Sequence, residues 1–282
     1  MDNIFLVNPK LGSSYLMGTV LSKYSNGECI SIKNTDTIKQ LKNKNIILIK
    51  NPIGSIIYDP NLILFLKKNN NKIIYLVVDS FSVKQINFCN LLRQYSSLYD
   101  LVLFCSNHAK NQFTNLVNTG VLFHIWDPAF NYNKNSKFFN ICYLGLDRAD
   151  KIFSLNRFPV DHVPASRPNL YRDSLKYNCH FSIRLPGSSE FLYGVNTKLS
   201  TAAATNSNII CSQDKSFVEL MPEYDYYVED VTVEAVLEMI ARCKTEFGTK
   251  KWFNNLEKLA HIREITAPGI IGKQLLNHIN NL

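Results

Sequence analysis

The chain has 282 residues, 46% hydrophobic and 19% charged, which excludes extended disorder and is long enough for two compact units. No run approaches the ~20 uninterrupted apolar residues that span a bilayer, so a membrane-crossing helix is excluded as well. A formal net charge of +8 points to an anionic partner, namely nucleic acid, an anionic membrane face or a nucleotide diphosphate.

In chain order, the amino terminus MDNIFLVN is too short and too acidic at its start for a secretory signal, and the reading is a cytoplasmic protein. Strands are expected at NIFLV from Asn3, CISI from Cys29, IILI from Ile46, KIIYLVV from Lys72, LVLFC from Leu101 and VLFHI from Val121. Between them, segments such as Val83 to Tyr95 carry apolar residues at helical spacing, with Ile86, Cys89 and Leu92 on one face. The runs KNKN and KKNNNK separate apolar segments and have no interleaved aromatics, so they read as solvated loops and no nucleic acid is expected as a partner. This βα rhythm implies a Rossmann-like domain over residues 1–130.

The segment DPAFNYNKNSKF, Asp127 to Phe138, breaks the rhythm and reads as a linker. Beyond it a second α/β domain is expected over residues 138–265. Its strands are FNICYLG, CHFSI from Cys179, Asn208 to Ser212 and YDYYVE; a short helix is expected near Asp150 to Leu155. Helices are expected over Thr232 to Lys244, Lys250 to His261 and Gly269 to Ile279, with residues 266–282 packing back on the first domain. The fold class is therefore α/β, two Rossmann-like domains facing across a cleft with helices at the carboxyl end. The seven cysteines, Cys29, Cys89, Cys105, Cys142, Cys179, Cys211 and Cys243, are scattered and never form C-x-x-C; they read as buried small apolar residues in a reducing compartment, not as a zinc site.

One stretch concentrates chemistry. TKLSTAAATNSNIICS, Thr197 to Ser212, reads as a helix with a small-residue face followed by a strand. A helix amino terminus carries partial positive charge and free N–H groups, so Thr197 and Lys198 there would meet an anion. The alternative is a helix packed in the core with Lys198 solvated. Upstream, FSIRLPGSSEF puts Arg184 directly after a strand and before a Gly/Ser loop; downstream, CSQDKSFVEL supplies amides and Glu219. These are the parts of a diphosphate cradle.

With those residues the chain resembles the carboxy-terminal half of GT-B fold glycosyltransferases, in particular the group related to glycosyltransferase family 4. The family pattern runs E-A-x-A-x-G-x-P, then V-I-x-S, then G-G-x-x-E-L, and here Ala202, Ala204, Ile209, Ile210, Ser212, Glu219 and Leu220 fall in register. YLGLDRADK resembles the family's strand, glycine and phosphate-contacting cations, which the resemblance carries onto Gly145, Arg148 and Lys151. The resemblance covers about Phe139 to Val228. Departures are specific: the family's glutamate falls on Thr201, its turn glycine on Asn206, its proline on Asn208 and its glycine pair on Lys215 and Ser216. Lys198 survives from a K-x-x-E helix start, and Glu190 stands in the kind of loop that holds the family's first glutamate, or is a surface charge there.

The resemblance implies sugar transfer from a nucleotide-diphosphate donor to a saccharide or glycan hydroxyl, in glycan or polysaccharide synthesis, with no cofactor beyond the donor. Arg184 and Lys198 would stabilise the leaving diphosphate, with Thr197, Thr201, Ser216 and Glu219 near the donor. Asp79, in LVVDSFS, would be the base that takes the acceptor's proton if the reaction inverts, or caps the next helix. Gly12 and Ser13 form a turn after the first strand, a phosphate approach or a plain βα turn. His124, next to Trp126 and Asp127, would orient a ligand at the hinge or is a satisfied core residue. No D-x-D and no metal-ligand spacing occur, which predicts a metal-independent transfer. Two other readings remain: a sugar-nucleotide epimerase, against which the missing G-x-G-x-x-G counts, and a non-catalytic nucleotide or carbohydrate binding protein, favoured by Thr201. Basic charge and aromatics such as Trp252 and Phe253, if exposed, would permit contact with a membrane surface; the alternative for Trp252, on an amphipathic helix, is a core residue. The resemblance implies that residues 1–130 form the acceptor side and residues 138–265 bind the donor nucleotide.

Overall fold

The computed structural model describes residues 1–7, 14–49, 60–78, 92–116, 118–130, 132, 137–145, 155–164, 170–187 and 197–282. Two compact units divide the chain: the first takes Met1–Ile125 and Ala267–Leu282, the second Trp126–Leu192 and Asn196–Thr266.

The first unit is built on a six-stranded sheet of β1 (Asp2–Val7), β2 (Gly27–Ser31), β3 (Lys44–Ile49), β4 (Lys72–Val77), β5 (Leu101–Phe104) and β6 (Thr119–Val121), ordered β2-β1-β3-β4-β5-β6. Every pairing is parallel, with Ile4 opposite Ile46 and Ile47 opposite Ile74. A parallel sheet is covered on both faces, which is why these strands are continuous runs of Ile, Leu and Val. Ile4, Leu6, Ile46, Leu48, Ile73 and Tyr75 build the core on one face, while Phe5, Val7, Ile47, Ile49, Ile74 and Leu76 build the other.

On the latter face lie a π-helical turn, Tyr15–Val20, running into α1 (Leu21–Tyr24), and the carboxy-terminal helix. Helices α2 (Thr35–Lys39), α3 (Pro60–Lys68) and α4 (Asn107–Asn111) and a 3-10 turn, Ser96–Leu98, lie in the described crossovers. Asn34 and Ser106 cap α2 and α4 by accepting hydrogen bonds from Thr37 and Ala109 N–H.

The second unit holds a five-stranded parallel sheet of β7 (Ile141–Leu144), β8 (Asp161–Val163), β9 (Cys179–Ser182), β10 (Asn208–Ser212) and β11 (Tyr227–Val228), ordered β11-β10-β9-β7-β8. Its helices are α5 (Leu170–Ser174), α6 (Thr197–Ala204), α7 (Lys215–Leu220), α8 (Val233–Glu246) and α9 (Lys250–Ile265), while α10 (Pro268–Asn280) belongs to the first unit. Thr232 and Thr249 cap α8 and α9 through their side chains, and Pro268 starts α10 where no N–H is needed. Ile271, Leu275 and Ile279 of α10 enter the first unit's core. Gly272 permits this approach, since a Cβ there would stand 2.2 Å from the Tyr24 carbonyl oxygen.

Several elements differ from the sequence expectation, each for a visible reason. The strand expected at VLFHI is only Thr119–Val121. Leu122 N–H makes the last bond to the sheet, to Phe104 O at 2.8 Å, after which Ile125 N–H turns to Met17 Sδ. YDYYVE contributes only Tyr227–Val228, because the Tyr224 hydroxyl takes the Ile209 N–H (2.8 Å) and donates to Asn208 Oδ1 (3.1 Å), occupying the edge of β10 that a longer β11 would use.

The beginning of the expected linker is docked on the second unit. Asp127 accepts from Tyr171 Oη (2.5 Å) and Ala129 N–H (3.0 Å), Trp126 Nε1 donates to Arg263 O (2.9 Å), and the Arg263 guanidinium lies 4.6 Å from the Tyr132 ring centre. Trp252 is a core residue, 2% exposed among Phe139, Tyr226 and Phe247, and only Phe253 of that pair is exposed. Cys29 is exposed, whereas Cys105, Cys142, Cys179, Cys211 and Cys243 are buried; burial pushes the thiols of Cys142, Cys179 and Cys211 up, away from the reactive thiolate form. The helix expected from Val83 falls largely outside the described residues, as does the one from Asp150. No described helix is long and apolar enough to cross a membrane.

Both sheets reverse their order between the first and third strands, β1/β3 and β7/β9. Open parallel sheets bind ligands outside the carboxyl ends of the strands at this reversal.

Candidate functional site

In the second unit the reversal lies between the carboxyl ends of β7 and β9, and the described chemistry gathers there. β7 ends at Gly145, whose N–H donates to Val163 O (3.1 Å) and whose carbonyl lies 3.0 Å from His162 Nε2. Lys198, in the first turn of α6, extends its ammonium back over this strand end. Its Nζ lies 3.9 Å from the Tyr143 ring centre and is shielded from solvent. It also fills the space beside Gly145, where a Cβ would come within 2.6 Å of Nζ.

Helix α6 reaches this position because its inner surface is small: Ala202, Ala203 and Ala204 are 0–2% exposed, and the helix packs on β9, β10 and α9. A Schellman closure ends it, with Ser207 N–H on Ala202 O (3.0 Å) and Asn206 N–H on Ala203 O (3.3 Å). That closure needs a left-handed residue, and Asn206 supplies it at φ 55°, where the resemblance puts a glycine. Asn208, in the proline's place, donates its own N–H to Asn178 O (2.9 Å), a bond that proline could not make.

On the β9 side, Arg184 N–H donates to Ser212 Oγ (2.9 Å) and its guanidinium pairs with the carboxylate of Asp214 while lying 5.3 Å from the Phe217 ring centre. The Asp214 side chain is fully buried and that of Arg184 is 14% exposed. The cation expected to face a diphosphate is thus neutralised in part by a carboxylate at the head of α7. Sequence reasoning passed over Asp214, although an Asp immediately before a helix is a signal that was available. It also passed over Tyr143 and His162, for which no sequence signal existed.

The remaining predicted residues sort as follows. Thr197 and Ser216, in the first turns of α6 and α7, have hydroxyls shielded from solvent with no hydrogen-bond partner among the described residues. Thr201 donates its hydroxyl to Thr197 O (2.8 Å), one turn back in its own helix, so it does not replace the missing carboxylate. Glu219 is half-buried on α7. His124 is fully buried in the first unit and its Nδ1–H donates to Ile125 O (2.9 Å). Gly12, Ser13, Asp79, Arg148, Lys151 and Glu190 lie outside the described residues.

Near Lys198, His180 on β9 is held neutral: burial first, then the Lys198 charge, lowers it to about 3. A separate groove of about 560 Å³ runs along β11 and α8, lined by Asp225, Glu229, Asp230 and Glu238 along with Arg242. Its carboxylates are the wrong sign for a diphosphate, whereas the ammonium of Lys198 has the right one. Among the described residues no group of three or more His, Cys, Asp or Glu side chains could hold a metal ion.

By sequence, no protein-family model and no curated protein matches the chain. By structure it is similar to HepE of Anabaena in complex with UDP and glucose, at 10% identity and a TM-score of 0.69, covering 100% of both chains. HepE in complex with UDP-glucose matches at 11% identity and a TM-score of 0.65, again over 100% of both chains. The UDP-forming α,α-trehalose-phosphate synthase of Burkholderia xenovorans, in complex with glucose-6-phosphate, matches at 9% identity and a TM-score of 0.58, over 88% of this chain and 75% of that one. The chain has the GT-B fold of nucleotide-sugar glycosyltransferases.

Proposed function

We propose that the protein transfers a sugar from a nucleotide-diphosphate donor of the UDP-glucose class to a saccharide hydroxyl, without a metal ion, in glycan or polysaccharide synthesis in the cytoplasm. The observation that carries this reading is the Lys198 ammonium at the carboxyl end of β7, beside the strand reversal and at the amino end of α6. Its support from outside is the fold shared with proteins crystallised with UDP and UDP-glucose.

In this scheme the acceptor oxygen bonds to the anomeric carbon. The bond from that carbon to the diphosphate oxygen breaks, and the diphosphate leaves with the electron pair. Lys198 and the Arg184–Asp214 pair meet the charge that develops, an effect for which one well-placed donor is commonly worth ~100-fold in rate. Thr197 and Ser216 offer hydroxyls to the same oxygens, and Glu219 a carboxylate to the ribose. The glycosyltransferase resemblance adds Gly145, Arg148 and Lys151 as donor-binding residues, and Asp79 as the base for the acceptor proton if the configuration inverts.

Thr201 favours a second reading, since its hydroxyl is engaged within α6 and no carboxylate stands there. In that reading the protein binds the nucleotide sugar and does not turn it over. Titration with UDP and other nucleoside diphosphates, followed by UDP release from UDP-glucose with and without chelator, separates the readings. Binding and release that survive chelator support metal-independent transfer. Binding with no release on any acceptor supports the second reading, and absence of nucleotide binding overturns both.

A further inference from the structure

The seat of the Lys198 ammonium is built by two residues of β7 and its end. Tyr143 presents its ring face to Nζ at 3.9 Å, and Gly145 leaves open the volume that Nζ occupies. Neither feature follows from the alternation of β7, where Tyr143 is one buried residue among four, 8% exposed on the face shared with Ile141. An aromatic face attracts an ammonium through its quadrupole, and more strongly when water is excluded, as it is around Nζ. His162 braces the same strand end, its ring 5.8 Å from that of Tyr143 and its Nε2 on the Gly145 carbonyl.

A lysine side chain has four rotatable bonds, and fixing it during ligand binding costs affinity; a chain fixed during folding carries no such cost at the binding step. The ammonium is held at the strand reversal by Tyr143, a residue of β7 fixed in the sheet.

We infer that Tyr143 is a positioning residue, which holds the Lys198 ammonium ready for the donor diphosphate, and that Gly145 lacks a side chain to make room for that ammonium. This rests on the reading of Lys198 as a diphosphate-binding cation. It gives Gly145 a task distinct from the donor contact onto which the glycosyltransferase resemblance carries it.

The test measures UDP affinity by calorimetry, with thermal midpoints, for the intact chain and for Lys198→Ala, Tyr143→Phe, Tyr143→Leu, Gly145→Ala and the Tyr143→Leu/Lys198→Ala double variant. Tyr143→Phe keeps the ring face and should bind UDP within about twofold of the intact chain. Tyr143→Leu should bind about three- to thirtyfold more weakly, and the double variant no more weakly than Lys198→Ala alone. Should Tyr143→Leu fail to fold, Tyr143→Met, which fills much of the same volume without a ring face, carries the same expectation; Gly145→Ala is read only beside its thermal midpoint, because φ there is 157° and a Cβ also strains the backbone.

If the removal of the ring leaves UDP affinity intact while Lys198→Ala weakens it, positioning is overturned and the reading of Lys198 stands. If the double variant is weaker than Lys198→Ala by the full effect of Tyr143→Leu, Tyr143 acts independently of the lysine and positioning is likewise overturned. If Lys198→Ala binds UDP as the intact chain does, the reading itself fails, and the inference with it.

Discussion

The two edges of these sheets use polar side chains in opposite ways. At the amino edge, asparagines recur in both units: Asn3 Nδ2 donates to Ser25 O (2.8 Å), Asn45 Nδ2 to Asn3 Oδ1 (2.9 Å), Asn71 Nδ2 to Leu41 O (2.9 Å), Asn178 Nδ2 to Phe138 O (2.6 Å) and Asn208 Nδ2 to Trp252 O (3.2 Å). These groups are buried and mostly meet backbone, so they tie the chain's entry into the sheet and offer little to a ligand. At the described carboxyl edge of the second sheet the groups are ionic or aromatic: Arg184 with Asp214, Lys198 on Tyr143, and His162 on the Gly145 carbonyl. One edge closes the fold, and the other holds charge where a parallel sheet binds ligands.

If that division is right, substitutions at the two edges should separate activity from stability. The largest effect is expected from Lys198→Ala, which should lower donor turnover ~100-fold or more with a thermal midpoint close to that of the intact chain. Loss of folding in step with loss of turnover would place Lys198 with the structural asparagines. Asp214→Asn comes next and crosses the divide. It leaves the Arg184 guanidinium without its buried counter-charge, and because Arg184 is still 14% exposed, the cost should be about 2 kcal/mol, below that of a fully buried pair. Denaturant unfolding measures it; an unchanged midpoint would show that the pair contributes nothing to the fold.

At the amino edge, Asn208→Ala removes a donor to Trp252 O and the acceptor of the Tyr224 hydroxyl. It should cost about 1–2 kcal/mol of stability with UDP affinity unchanged. Weaker UDP binding in a folded Asn208→Ala protein would contradict the division of labour between the edges.

His180 lies between the two edges and makes the second unit acid-sensitive. Its imidazole is neutral in the fold down to about pH 3, because burial and the Lys198 charge both oppose protonation, while in the unfolded chain it takes a proton below about 6.5. The unfolded state therefore binds more protons between these values. Stability is full above pH 6.5 and falls as pH drops through it, by roughly 1 kcal/mol over the first pH unit. His180→Gln, which can still meet the Thr205 hydroxyl, should flatten the unfolding midpoint between pH 6.5 and 4.5. A slope identical to that of the intact chain would assign the sensitivity to other groups.

How much of this was legible beforehand follows the range of the forces involved. The first five strands of the first sheet, β1 to β5, and the helices α8, α9 and α10 were readable because hydrophobic periodicity and side-chain caps are local. The short strand β8 and helix α5 were not, since Asp161–Val163 and Leu170–Ser174 are shorter than the window in which periodicity can be seen. Of the site, Arg184, Lys198 and the alanine face of α6 could be read from their order along the chain. The partners that define their chemistry could not: Asp214 is 30 residues from Arg184, and Tyr143 belongs to a different strand from the one before α6. The resemblance was also masked by a substitution habit. Each described residue other than glycine with positive φ is an asparagine, Asn26, Asn43, Asn70, Asn118 and Asn206, so at Asn206 a turn that the resemblance marks with glycine carries a different letter here.

Asn206 turns that habit into the smallest and sharpest test. It joins the helix that carries Lys198 to β10, and its φ of 55° is the conformation that the Schellman closure of α6 requires. Asparagine tolerates this region better than other side-chain-bearing residues, and glycine enters it without steric cost. Asn206→Gly should therefore leave stability within about 0.5 kcal/mol and UDP affinity unchanged, whereas Asn206→Ala should cost about 1 kcal/mol through its Cβ. Both variants keep the two closing backbone bonds available, so the comparison isolates backbone strain from hydrogen bonding. Equal stability of the two would mean that the left-handed turn does not govern how α6 ends, and Asn206 would no longer stand in for the turn glycine of the resemblance.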